Sequence, residues 1–183
     1  MSPVSLHPEV IIASRVQADR LLMSESGPAI RHMISIGAPG DPAPADFERC
    51  ATGIRLEFHD ITEDTDFEFG PRAWHVEQVI DFARAIQHEG GTLLVHCEAG
   101  ISRSSAAALT VFATWLGVGK EQDAVDRTYA AQPQAWPNSL FVELADDLLG
   151  RNGALIAAVT KAVTTLDVRD LLRRYVRGID CDE

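Results

Sequence analysis

Between Thr92 and Leu116 the chain passes from a short apolar run, through a polar loop, into a segment that is apolar almost all round. Thr92 to Val95 reads as a compact strand buried on both faces. Ser104 to Leu116 reads as a helix at the centre of a domain, stopped by Gly117 and Gly119. A buried strand that feeds directly into a buried helix belongs to an α/β architecture. The rest of the chain continues the alternation. Val10 to Ala13 is a strand candidate, followed by a polar, helix-like Ser14 to Ser24 that Gly27-Pro28 breaks. His32 to Ile36 is a second strand candidate, Gly37 to Pro44 a loop, and Ile54 to Phe58 alternates as a half-buried strand does. An acidic stretch, Asp60 to Glu68, precedes a helix opened by Gly70-Pro71, with the proline in its first turn. Val76, Val79, Ile80, Ala83 and Ile86 form one apolar stripe on that helix, which Gly90-Gly91 ends.

After the central helix, Glu121 to Ala131 is a more polar helix. Asn138 can cap another running to Leu149. Helix resumes from Arg151, with charges balanced along Asp167 to Arg177. The expected fold is a single three-layer α/β domain over residues 1–183, a mostly parallel central sheet flanked by helices. Its core covers about 8–150, and 151–183 form a C-terminal helical extension packed on it.

Composition bounds what such a domain can do. The chain has 183 residues, 46% of them hydrophobic, which suits one domain that needs no disulfide or metal staple. Sixteen Lys and Arg against twenty-seven Asp and Glu give a net charge of −11. Such a surface repels polyanions, so nucleic acid and anionic membrane are excluded as partners. No apolar run approaches the ~18 residues of a membrane span. The N-terminus lacks the basic start and apolar stretch of a signal peptide, so the expected location is cytoplasmic. Cys50, Cys97 and Cys181 are far apart and form no C-x-x-C pair. No metal site and no cofactor are expected; His59 and His75 have no second cluster to support them as ligands, and the acidic stretch departs from a calcium loop at Phe69.

The chemistry lies in Val95-His96-Cys97-Glu98-Ala99-Gly100-Ile101-Ser102-Arg103-Ser104. A tight turn between strand and helix can aim successive backbone N–H groups inward, as an anion-binding nest. The helix N-terminus adds unpaired N–H groups and the positive end of its dipole. Arg103 supplies a planar fork that matches two phosphate oxygens. Gly100 lets the backbone turn where a side chain would obstruct it. The same positive field favours an anionic sulfur at Cys97, a nucleophile held in line with a bound phosphoryl group. Five specified residues at this spacing match a random window with odds on the order of 10⁻⁶. The bland alternative, a buried small hydrophobe at Cys97 and a surface charge at Arg103, fits a lone cysteine better than this strand–loop–helix context.

These residues meet the pattern H-C-x-x-G-x-x-R-[ST] in full. They resemble the signature loop of the cysteine-dependent protein tyrosine phosphatase superfamily, in its compact dual-specificity-like branch, small bacterial members included. Phe58-His-Asp60-Ile upstream and Pro133-Gln-Ala-Trp-Pro137-Asn138 downstream are similar to that branch's acid loop and P-x-x-x-P-N segment. The likeness covers roughly residues 8–150. It implies that Cys97 attacks phosphorus to give a phosphocysteine, while Arg103 and the backbone from Glu98 through Ala99, Gly100, Ile101 and Ser102 hold the phosphate. It implies that Ser104 bonds the leaving thiolate, that His96 shapes the loop by hydrogen bonding, and that the segment of Asn138 steadies it. Asp60 is the expected general acid and base, ahead of Asp64; the spacing of 37 residues from Asp60 to Cys97 implies a longer loop after the acid.

The loop carries no lysine and the Asp60–Glu68 stretch is acidic, so several phosphates near it would meet unfavourable charge, while one would not. The expected substrate is a phosphotyrosine-containing protein or an aryl phosphate, with phosphoserine and phosphothreonine decided by pocket depth. Two other readings stand beside this one: a catalytically weak phosphate-binding module, and arsenate reduction or sulfur transfer on a similar loop. Arsenate reduction recruits further thiols, and no motif links Cys50 or Cys181 to Cys97.

Overall fold

The computed structural model describes residues 7–24, 29–44 and 47–165. The expectations that fall on Gly27-Pro28, Cys181 and Asp167 to Arg177 lie outside these residues. The elements follow in the order β1 (Glu9–Ala13), α1 (Arg15–Met23), β2 (Ile30–Gly37), a 3-10 turn (Phe47–Arg49), β3 (Thr52–Glu57), α2 (Ala73–Ile86), β4 (Thr92–His96), α3 (Arg103–Leu116), α4 (Glu121–Ala131), α5 (Ser139–Leu148) and α6 (Ala154–Thr165).

The four strands form one sheet in the order β1-β4-β2-β3, and every neighbouring pair is parallel. β4 is flanked by β1, with Ala13 opposite His96, and by β2, with Ser35 opposite His96. Strands in such a position have no solvated face, which accounts for the unbroken apolar run of Thr92 to Val95. All five β4 residues are buried.

The two faces of the sheet are covered unequally. On one side Ala13, Met33 and Leu94 pack against Ala18 of α1, with Phe47 and Cys50 at the margin. On the other side Leu93 and Val95 join a much larger core built from α2 to α6. α1 is a short helix whose start is written into the sequence as Ser14-x-x-Gln17. The Ser14 hydroxyl accepts the Gln17 N–H at 3.2 Å, and the Gln17 side chain accepts the Ser14 N–H at 2.9 Å.

α3 is buried along nearly its whole length, as its composition requires. α2 buries the expected stripe, and His75 and Phe82 besides. Its start differs from the sequence expectation. Pro71 lies before the helix rather than in its first turn, and Arg72 is the N-cap. The cause is His75, whose Nδ1 reaches back to accept the Arg72 N–H at 2.9 Å and so fixes where the helix begins.

α6 begins under the control of α5. Asp146, 1% exposed, accepts the N–H groups of Gly153 at 2.6 Å and Leu155 at 2.8 Å. Arg151 donates to the Ala113 carbonyl at 2.8 Å and pairs with Glu121 at 3.4 Å, joining the α5–α6 turn to α3 and α4. Leu155 and Ala158 are buried in the large core. Among the described residues no helix is long and apolar enough to cross a membrane.

Candidate active site

The loop from Cys97 to Ser102 leaves the end of β4 and enters α3 at Arg103. Its carbonyls are held from outside. The Glu98 carbonyl accepts the Arg15 N–H at 3.1 Å, Gly100 accepts the Gln132 side-chain amide at 3.0 Å, and Ile101 accepts the Trp136 N–H at 3.0 Å. The Ser105 hydroxyl also donates to Ile101 and, at 3.0 Å, to Ser102. The N–H groups are a different matter. Among the described residues, none of those from Glu98 to Arg103 donates to a protein acceptor. They precede the first closed turn of α3, so no intrahelical partner is available to them. Bonded carbonyls and unspent N–H donors on one tight loop are what an anion-binding cradle requires.

Gly100 makes that curvature possible. Its φ is +72°, and a Cβ there would lie 2.5 Å from the Ser14 nitrogen and 2.6 Å from the Ala13 carbonyl carbon. Both are backbone atoms that cannot swing aside, so the position admits glycine alone.

Cys97 forms the floor of the cradle. The residue is 1% exposed and packs on the large core, but its sulfur faces a polar group: Sγ lies 3.1 Å from the Ser104 hydroxyl. Arg103 is 7% exposed. One of its terminal nitrogens donates to the Phe58 carbonyl at 2.9 Å. Its Nε has no partner among the described residues. A buried guanidinium with a free donor and no carboxylate beside it is costly unless an anion completes it.

His96 sits beneath the loop. Its Nε2 lies 2.8 Å from the Ser35 hydroxyl, which also accepts from Arg55 at 2.9 Å. Arg55 can only donate, and the Ser35 hydroxyl keeps a second lone pair and its proton for His96, the direction of that bond following the imidazole tautomer. Burial pushes the His96 pKa down to about 4, a marginal bond to the Cys97 main chain opposes this, and Arg15 and Arg55 add to the lowering. Gly37 leaves the space that the Arg55 guanidinium fills.

The structure brings Asp60 to the cradle. Its carboxylate accepts the Ser102 hydroxyl at 2.6 Å and the Asn138 side-chain amide at 3.0 Å. Asn138 also donates to the Ile61 carbonyl at 3.3 Å and accepts the Phe141 N–H at 3.0 Å, so it caps α5 and ties the acidic loop to it at once. Asp64 is committed elsewhere. It accepts the Gly70 N–H at 3.0 Å and pairs with Arg72. These two contacts hold its carboxyl below the usual range, the Gly70 bond being the larger cause.

His59 and His75 bond backbone rather than each other. His59 Nδ1 accepts the Phe69 N–H at 3.2 Å, and His75 spans Arg72 and the Glu57 carbonyl. Among the described residues no group of three or more His, Cys, Asp or Glu could hold a metal ion. Cys50 belongs to the cluster on the α1 face and Cys97 to the core on the other, so these two thiols are not brought together. Sequence reasoning missed Arg15, Gln132 and Ser105, the outer supports of the loop. Gln132 alone carried a signal, standing directly before the Pro133–Asn138 segment.

Fold and loop together define a cysteine-signature phosphatase-type α/β protein. Dual specificity protein phosphatase 15 of Mus musculus is 32% identical over 112 residues, 61% of this chain and 43% of that protein. Its Homo sapiens counterpart is 33% identical over 112 residues, 61% of this chain and 34% of that protein. The crystal structure of DUSP15 aligns with a TM-score of 0.57 at 27% identity, covering 80% of this chain and 86% of that one. That of human DUSP28 aligns at 0.56 and 18% identity over 81% and 96%, a likeness of fold. No protein-family model matches. The chain spans about two fifths or less of the length of these curated relatives. In sequence and fold the chain is similar to dual specificity phosphatases of the cysteine-dependent protein tyrosine phosphatase superfamily.

Proposed function

We propose that the chain is a metal-independent phosphomonoester hydrolase acting on phosphotyrosine, through a phosphocysteine intermediate. The observation that carries this reading is the set of unspent donors around Cys97: the N–H groups of Glu98 to Arg103 and the Nε of Arg103. A phosphoryl group seated on them places phosphorus over the sulfur.

The Cys97 thiolate attacks phosphorus as the bond to the ester oxygen breaks, and Asp60 passes its proton to that departing oxygen. Arg103 and the loop donors bear the charge spread over the equatorial oxygens. In the second half, water attacks the phosphocysteine, Asp60 takes the proton that water loses, and the sulfur–phosphorus bond breaks. Ser104 donates its hydrogen bond to the departing sulfur. His96 and Asn138 position the loop. The choice of Asp60 over Asp64 is supported by their partners, since Asp60 faces the cradle through Ser102 while Asp64 fastens its own loop. The catalytic unit in this reading is one domain that includes α6. The acidic Asp60–Glu68 stretch favours a singly phosphorylated residue over a polyphosphorylated ligand.

The test is single-turnover hydrolysis of p-nitrophenyl phosphate with a chelator present, quenched in acid and mapped by mass spectrometry. The expected result is phosphate on Cys97, followed by continuing turnover that vanadate inhibits. A phosphocysteine that forms and never clears would instead identify a phosphate-binding module. No adduct and no turnover would sink both.

A further inference from the structure

Next to the cradle lies an apolar groove that the proposed chemistry does not use. It is about 220 Å³, lies between α5 and α6, and has Trp136 and Pro137 on its wall. Val142, Ile156, Val159 and Val163 line it, with Thr160 and Glu143 also on its wall. Among the described residues Glu143 is its one charged lining residue. We infer that this groove is a substrate subsite, and that it takes an apolar side chain a few residues from the phosphorylated residue of a polypeptide, with a basic neighbour at the Glu143 rim.

The inference rests on the hydrolase reading above, and continuity with the cradle carries it. The same short segment builds both places. Trp136 donates its backbone N–H to Ile101 of the signature loop, and Asn138 holds Asp60. Trp136, Pro137 and Ser139, the residues on either side of Asn138, also line the groove. A peptide advancing about 3.3–3.6 Å per residue spans from the loop to this segment within a few residues. Trp136 leaves 43% of its surface exposed, and an extended peptide can lie on such a ring. The volume suits one large aliphatic or aromatic side chain. Among the described residues the groove carries no cation, and the chain's charge of −11 adds to the preference for a basic flank.

The test compares phosphotyrosine peptides carrying Leu or Ser at each position from about four before to four after the phosphotyrosine, with p-nitrophenyl phosphate as the small substrate that reaches only the cradle. At one position Leu should raise kcat/KM roughly tenfold over Ser, the scale set by burying one such side chain. Thr160→Trp, a substitution at an exposed residue that fills the groove, should erase that preference and leave p-nitrophenyl phosphate turnover unchanged. Thr164→Trp serves the same purpose if the first variant does not fold. Glu143→Lys should remove a severalfold preference for a neighbouring Arg. Equal rates for Leu and Ser peptides at every position, with p-nitrophenyl phosphate still hydrolysed, would overturn the subsite and leave the hydrolase reading intact. So would a preference that survives both groove-filling variants. A groove variant that lowers the melting temperature or abolishes a concentration-dependent dimer, with peptide preference unchanged, would assign the groove to the chain itself or to a second copy and overturn it. Loss of p-nitrophenyl phosphate turnover in the native protein would remove the hydrolase reading, and the subsite with it.

Discussion

The signature loop and the acidic loop meet at Asp60, and they are held in opposite ways. The signature loop is fastened by four residues from three parts of the chain: Arg15 of α1, Gln132 and Trp136 of the α4–α5 connection, and Ser105 of α3. The acidic loop is fastened mostly to itself. His59 and Phe69 exchange two bonds, Thr65 and Glu68 close a turn, and Asp64 clasps Gly70 and Arg72. Its tip is open to solvent, with Phe67 92% exposed. Its links to the cradle are few: Asp60 to Ser102 and Asn138, Phe58 to Arg103, and Asn138 to Ile61. The first loop is therefore preorganised by the whole fold, whereas the second is closed mainly on itself and on the start of α2. The static part suits charge stabilisation, and the more loosely attached part suits a group that must give and then take a proton.

Substitutions should separate the two loops by size of effect. Cys97→Ser should cost at least about 10⁴-fold in kcat, because the covalent route is lost, while phosphopeptide binding survives. Steady-state kinetics with calorimetric binding checks this. Arg103→Lys should cost about 10²–10³-fold, since an ammonium cannot supply the fork; vanadate affinity should fall in parallel. Asp60→Asn should cost about 10²-fold with a phosphotyrosine peptide and remove the limb of the pH–rate profile that requires a protonated acid. Asp64→Asn should change kcat by only a few-fold, through the shape of its loop. If Asp64→Asn produces the larger loss, the roles given to the two carboxylates are reversed.

The smallest effect concerns stability. Burial holds both His75 and His96 near a pKa of about 4, against an ordinary 6.5. Below about 6.5 the unfolded chain takes up protons that the folded chain refuses, so stability falls as the pH drops from 6.5 toward 4. The melting temperature should be lower at pH 5 than at pH 7. His75→Gln should make that decline shallower even if it lowers the melting temperature overall.

The same contrast governs what could be read in advance. The strand–loop–helix at Cys97 is continuous in sequence, so its residues announced the fold around it. The buried β4 and α3, the α2 stripe and the Asn138 cap were legible for a similar reason, since each is a local pattern. The loop's outer supports were not, because Arg15 and Gln132 act through contacts 83 and 32 residues away in the chain. Asp60 and Asp64 look alike in sequence, and only their partners part them. The start of α2 was misplaced because a histidine back-bond, rather than Pro71, sets it.

Gly100 rests against the junction of β1 and α1, and among the described residues β1 is the outermost strand on its side of the sheet. The proposed activity is thereby coupled to the fate of an edge ribbon. Any event that peels away the chain's first strand withdraws the template on which the cradle is moulded, and catalysis should fail before the bulk of the protein unravels.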